Sequence, residues 1–206
     1  MSIGSLWTVI PVKAFHLGKS RLNLPDAQRV QVNRAFLRHV LDTATAVVRP
    51  DHVVVVSCDE QALTMARRAG ARAVRESHPG DLNEALTQGA QFASDRGADA
   101  VLSLFCDLPD VAPDDVRAMI DAFAPDTVVL APDESGTGTN AILMAPNHLP
   151  YRHGPNSLWR HLNAAREARL SFQIVRREGL ARDIDTPSQW LAMPSPNEMH
   201  RALDER

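Results

Sequence analysis

Cysteine is scarce. Cys58 and Cys106 are the only two in 206 residues, too few for a disulfide framework, and their separation fits no metal-ligand pattern. Each ends an apolar run, so both read as small buried hydrophobes. Long apolar runs are missing too, and none approaches the roughly 20 residues of a membrane span. The run 6–12 is broken by Pro11 and lacks a small-residue cleavage site, so no signal peptide is expected and the cytoplasm is the default compartment. There is no basic block or arginine-rich stripe, and the net charge is −3, which argues against nucleic acid or an anionic membrane as the main partner. No G-x-S-x-G elbow, H-E-x-x-H helix or C-x-x-C pair occurs. His153 and His161 are eight apart, unsuited to joint metal binding on one helix face.

What is present is an ordinary globular composition, 44% apolar and 23% charged, with strands and helices in alternation. "LWTVIPV" (6–12), the valine run 52–57, 71–76, "DAVLSLF" (99–105), 127–131, 140–145 and 171–176 read as strands. Helices are expected over 26–48 (capped by Asp26), 59–69, 82–96, 113–123, 157–168 and 186–193. Repeated β-α-β units with short connections predict an α/β fold, a three-layer α/β/α sandwich around a mostly parallel, Rossmann-like sheet. No repeat or linker divides the chain, so 1–193 is expected to be one domain and the polar stretch 194–206 a loose tail. In such sheets ligands bind beyond the carboxyl ends of the strands.

The loop after the first strand, "PVKAFHLGKSRL", contains Gly18-Lys19-Ser20, the ending of a P-loop. The first glycine of that motif would have to be residue 13, which is Lys13, and the chain runs into Pro25 instead of a helix. What remains is Lys13, Lys19 and Arg21 within nine residues with no acid among them, a cluster suited to a polyphosphate. After "DAVLSLF", Asp107 in "CDLPD" can hold Mg²⁺, which favours one or two carboxylates plus phosphate oxygens; it equally fits a turn aspartate. In "ARDIDTP", Asp183 and Asp185 flank Ile184, so an extended chain aims both carboxylates the same way, although Asp185 also fits a cap for the last helix.

"GTGTNA" (136–141) matches the dinucleotide pattern G-x-G-x-x-G/A by letter. Its context refuses it, because a strand follows instead of a helix and no acid appears until Glu167. From Ser135 to Arg166 there is neither Asp nor Glu, while Arg152, Arg160, Arg166 and three histidines occur. Glycine-loop N–H groups with Thr137 and Thr139, and a helix start at Ser157 after Gly154-Pro155, make this span a candidate anion cradle. Two anion sites, a divalent-ion site and no general base point to phosphoryl or nucleotidyl transfer, in which catalysis is mostly positioning and charge neutralisation.

"IPVK…KSRL", "CDLP", "GTGTNAI", "HGPNS" and "DIDTP" resemble, in order and approximate spacing, the CofC-type guanylyltransferases of coenzyme F-420 biosynthesis, within the MobA-like nucleotidyltransferases; the likeness spans about 7–191. The resemblance implies a nucleotide-diphospho-sugar transferase-like fold and transfer of GMP from GTP to the phosphate of 2-phospho-L-lactate, phosphoenolpyruvate or 3-phospho-D-glycerate, releasing pyrophosphate. It implies Lys13, Lys19 and Asp107 as catalytic groups, and Lys13, Lys19, Ser20, Arg21 and Asn83 around the nucleotide. It further implies an acceptor site at Thr139, Gly154 and Ser157 with Gly138 and Asn140, and a Mg²⁺ site at Asp107, Asp183 and Asp185. GTP and a small phospho-acid are the expected partners; a homodimer is compatible with the pattern, though no motif specifies one.

Overall fold

The computed structural model describes residues 3–191; the expected tail, 194–206, lies outside them. Seven strands, β1 (Leu6–Val12), β2 (Val53–Ser57), β3 (Arg72–Arg75), β4 (Ala100–Leu104), β5 (Thr127–Pro132), β6 (Thr139–Met144) and β7 (Ser171–Ile174), form one sheet in the order β3-β2-β1-β4-β6-β5-β7. All run parallel except β6, which is antiparallel to both β4 and β5. The helices are α1 (Asp26–Thr45), α2 (Glu60–Arg68), α3 (Leu82–Ser94), α4 (Pro113–Asp121), α5 (Ser157–Glu167), α6 (Glu178–Ala181) and α7 (Pro187–Leu191).

The valines of β2 are buried on both faces, as a strand sandwiched between helix layers must be. Alternate strand residues divide between two cores. Ile10, Val55, Leu102 and Leu143 pack under α1, α2 and α4, whereas Val9, Val54, Val101 and Ile142 pack under α3 and α5. The three layers are therefore those the alternation predicts. Local chemistry sets the helix starts: the Asp59 carboxylate accepts from Gln61 N–H at α2, and Asp81 accepts from Asn83 and Glu84 N–H at α3. Asp26 is the first helical residue of α1 instead of its cap, a position held by Pro25.

One irregularity bears on the site. Ala131 pairs with Ala141 but Pro132 pairs with Thr139, so Asn140 is an extra residue on β6. This bulge breaks the alternation: the Thr139 side chain meets α5, while the Asn140 amide donates to the Leu180 and Ala181 carbonyls at α6. A third small cluster, Leu22, Val32, Phe36 and Ile184, ties the loop after β1 and the turn before α7 to the side of α1.

Candidate active site

The carboxyl ends of β1, β2 and β4 open into a cleft of about 670 Å³. Lys13, Lys19, Ser20 and Arg21 line it from the loop after β1, Asp107 from the loop after β4, and Asp183 and Asp185 from the turn before α7. Gly154 and Asn140 reach it from the far side, with Phe105 and the α3 N-terminal turn (Pro79, Gly80, Leu82) completing the wall.

The basic loop is pinned at two points. Phe15 N–H donates to Asp59 Oδ2 (2.8 Å), and the Asn33 amide on α1 donates to the Phe15 carbonyl (2.8 Å). A Cβ on Gly18 would lie 2.7 Å from the Asn33 amide nitrogen, so a larger residue there would displace the amide that pins the loop. Lys19 then adopts the left-handed region (φ 56°), uncommon for a residue with a side chain. The turn sends its ammonium into the acids: Nζ lies 2.7 Å from Asp107 Oδ2 and 2.9 Å from Asp185 Oδ1. Burial works against the Lys19 ammonium, but the Asp107 and Asp185 carboxylates more than offset it and hold the pKa above its ordinary value.

Ile184, fully buried in the third cluster, turns its two neighbours the opposite way, toward the cleft. Its N–H donates to the Asp107 carbonyl (3.3 Å), stitching the two acidic segments together. Ligand oxygens of Asp107, Asp183 and Asp185 all lie within 4.8 Å of one another. Burial, then the nearby Asp107 and Asp185, push the Asp183 carboxyl up to about 6. Asp107 Oδ1 is buried and has no hydrogen-bond partner. Three converging carboxylates, one with an orphaned oxygen, are the donor set a hard divalent cation takes, so these residues fit the Mg²⁺ expectation.

The expected acceptor residues are divided. Asn140 and Gly154 line the cleft, but Thr139 and Ser157 are buried beside it, and Gly138 packs against the Asp133 side chain. Thr139 Oγ1 is 3.2 Å from His161 Nδ1, and Leu158 N–H at the start of α5 donates to the Thr137 carbonyl (3.1 Å). Asn83 is placed differently from the expectation. Its amide holds the backbone of the opposite wall, Oδ1 accepting from His153 N–H (2.7 Å) and Nδ2 donating to the His153 carbonyl (3.4 Å), so it shapes the cleft without lining it. Both cysteines are half-buried and line the cleft wall, and Cys106 also packs against the core under α1, α2 and α4, as its reading as a small hydrophobe implies. Burial, with Asp107 adding, pushes the Cys106 thiol up to about 12.

Sequence reasoning passed over Asn33 and weighed His153 and His161 only as metal ligands and as members of the acid-free span. Asn33 carried a signal, since it follows Val32 on the inward stripe of α1, where an unpaired amide would be costly. The histidines carried none, because their roles depend on how α5 and the 151–154 segment pack. His153 sits edge-on to His161 (4.8 Å between ring centroids) and against Phe105 (4.9 Å). Burial, with His161 and Arg160 adding, pushes the His153 pKa down to about 3; burial, with Arg160 and Arg152 adding, pushes His161 to about 4.

A doubly covered sheet with a lysine-and-carboxylate cleft at its strand ends fits a nucleotide-handling transferase. A nucleotide-diphospho-sugar transferase candidate from Desulfovibrio desulfuricans shares the fold, with a TM-score of 0.71 at 18% identity, covering 100% of this chain and 96% of that one. Residues 6–194 match the family described as "Guanylyl transferase CofC like", and the chain belongs to that family. It is 39% identical over 184 residues to the phosphoenolpyruvate guanylyltransferase of Sphaerobacter thermophilus (87% of this chain, 88% of the relative). It is 33% identical over 181 residues to the 2-phospho-L-lactate guanylyltransferase of Methanothermobacter thermautotrophicus (86% and 79%).

Proposed function

We propose that this protein transfers GMP from GTP to the phosphate of a three-carbon phospho-acid (phosphoenolpyruvate, 2-phospho-L-lactate or 3-phospho-D-glycerate) and releases pyrophosphate, in coenzyme F-420 biosynthesis. The observation that carries it is the juxtaposition, in one cleft, of the Lys13–Arg21 loop with Asp107, Asp183 and Asp185. The relatives' named activities supply the nucleotide and the acceptor class.

An acceptor phosphate oxygen attacks the α-phosphorus of GTP. The bond from that phosphorus to the α,β-bridging oxygen breaks, and the electron pair leaves with pyrophosphate. A phosphate monoester is already largely ionised at pH 7, its second pKa being about 6, so no protein base is needed. Lys13, Lys19 and Arg21 grip the triphosphate with Ser20 at the same turn, and Lys19 also offsets charge developing on the leaving group. Asp107, Asp183 and Asp185 would hold Mg²⁺, which when bound neutralises charge on the phosphoryl oxygens. Asn140 and Gly154 line the side of the cleft where the acceptor would sit, with Thr139, Ser157 and Gly138 packed behind them. Asn83 contributes by fixing the 153–154 backbone.

The test is incubation with GTP, Mg²⁺ and each of the three acids, with products identified by mass spectrometry. A guanylylated acid and pyrophosphate in equal amounts are expected. Absence of both with all three acids sinks the proposal.

A further inference from the structure

We propose that Glu76 reads the base of the nucleotide: its carboxylate accepts from the N1–H and the exocyclic amino group of guanine, and so disfavours adenine, which presents a lone pair at N1. This rests on the GTP reading above for the identity of the nucleotide, whereas the free carboxylate and the apolar side chains near it are features of the cleft itself.

Glu76 directly follows β3, lines the cleft and is 9% exposed. Its backbone is held from two sides. Glu76 N–H donates to the Ser57 carbonyl at the end of β2 (3.0 Å). The Gln88 amide of α3 straddles the residue, donating to the Arg75 carbonyl (2.8 Å) and accepting from Ser77 N–H (3.0 Å). In the carboxylate, Oε1 accepts from Gly80 N–H (3.1 Å), which fixes its orientation. Among the described residues Oε2 has no hydrogen-bond partner and no cation pairs with the group; the neighbouring Arg75 is taken by Glu60. A largely buried carboxylate is stable in such a place when donors reach it from a ligand. Each of its oxygens has two lone-pair sites, so Oε1 can take a second bond beside that from Gly80.

Position selects the kind of donor. Glu76 would repel a triphosphate, and the cations suited to one lie on the loop after β1. β3 stands three strands from β4, about 14 Å at the usual strand spacing, so Glu76 belongs to the end of the cleft remote from Asp107. A nucleoside whose α-phosphate sits over the acidic triad bridges such a span. The cleft lining also includes Leu17 (50% exposed) and Leu82 (38%), two of the five large apolar side chains left exposed among the described residues. A flat purine laid against them takes that surface out of water. Asn83, expected around the nucleotide, is occupied by the His153 backbone, which leaves Glu76 as the free polar side chain beside the α3 N-terminal turn. Guanine offers two adjacent donors on one edge, and a carboxylate only accepts, so the pair match; the N1 lone pair of adenine faces the same oxygens and is repelled.

The test is titration calorimetry of GTP, ITP (which lacks the 2-amino group), 2′-deoxy-GTP and ATP, with Mg²⁺ and no acceptor. The native protein and Glu76→Gln are compared, with thermal melts to confirm folding. Native protein should bind GTP about 10-fold or more tighter than ITP, one hydrogen bond to a charged acceptor being lost, and ATP more weakly still. Glu76→Gln should weaken GTP about 10-fold or more and reduce its advantage over ITP to about twofold or less, because the two changes remove the same bond. Equal binding of GTP and ITP by native protein overturns the proposal without recourse to any variant. A folded Glu76→Gln protein that keeps the GTP-over-ITP preference, or loses all four nucleotides alike, overturns it too. If 2′-deoxy-GTP, and not ITP, is the nucleotide that native protein disfavours and the variant does not, the carboxylate holds the ribose and the base assignment falls. Native protein that prefers GTP to ITP but transfers GMP to none of the three acids refutes the function above and leaves the base reading standing. Transfer of GMP without that preference does the reverse.

Discussion

Replacing Lys19 by methionine keeps the stem of the side chain and removes its charge. In the native protein the ammonium lies between two carboxylates, its side chain only 7% exposed while those of Asp107 and Asp185 are 24% and 46% exposed. Removing one partner of a buried ion pair costs about 3–5 kcal/mol, because the remaining charge is left desolvated and alone. Asp185 is nearly half in water, so its share is screened and the expected loss falls to about 2 kcal/mol. At this chain length each kcal/mol moves the melting temperature by about 2–4 °C, which gives a drop of about 4–8 °C in chelator-treated protein. The three carboxylates, relieved of the competing ammonium, should then bind a divalent cation more tightly than in the wild type. Millimolar Mg²⁺ should accordingly raise the melting temperature of Lys19→Met more than that of the parent. Scanning calorimetry with and without chelator measures both effects, and pyrophosphate release should be nearly abolished throughout. A melting temperature within a degree of wild type in chelator, or identical Mg²⁺ shifts in the two proteins, would refute the reasoning.

Asp107→Asn keeps the shape but removes the negative charge and replaces one carboxylate oxygen by an NH2 group at the residue with the orphaned Oδ1; a loss of pyrophosphate release of at least about 100-fold is expected, and full rate would remove Asp107 from the metal role. Ile184→Ala opens a cavity in the fully buried cluster under the Asp183–Asp185 turn; urea unfolding should show a loss of about 2–4 kcal/mol, and a neutral result would mean that the turn is held by other contacts. Acidification should destabilise the fold through His153 and His161, whose pKa values are pushed down to about 3 and about 4 from the ordinary 6.5. Between those values the unfolded chain binds more protons, so stability is full above pH 6.5 and declines below it by up to about 1.4 kcal/mol per pH unit per histidine. Urea midpoints at pH 7.5 and 5.0 check this, and a His161→Asn protein should show a shallower decline than the parent.

The layers of the fold were legible in the sequence because burial periodicity needs only local pattern. The valine run of β2 can satisfy itself only under a cover of helices, and the stripe of α1 by packing onto the sheet. Asp183-Ile184-Asp185 was legible for the same reason, since an apolar residue between two acids fixes which way the acids point once the apolar one is buried. The failure of the dinucleotide and Walker patterns was likewise decided by neighbouring residues alone.

Other features depended on pairing between distant segments. The antiparallel β6, the bulge at Asn140 and the separation of Thr139 from the cleft lining arise from register against β4 and β5, which composition does not encode. Lys19 could be read as a phosphate ligand, but its burial between Asp107 and Asp185 follows from a left-handed turn pinned by Asn33, 14 positions along the chain. The amide of Asn83 is taken up by a backbone 70 residues away. Sequence determined which chemical groups the protein has and which face of each element they occupy. The tertiary structure decided which groups meet, because a hydrogen bond or ion pair forms only when separate segments are brought within about 3 Å of each other.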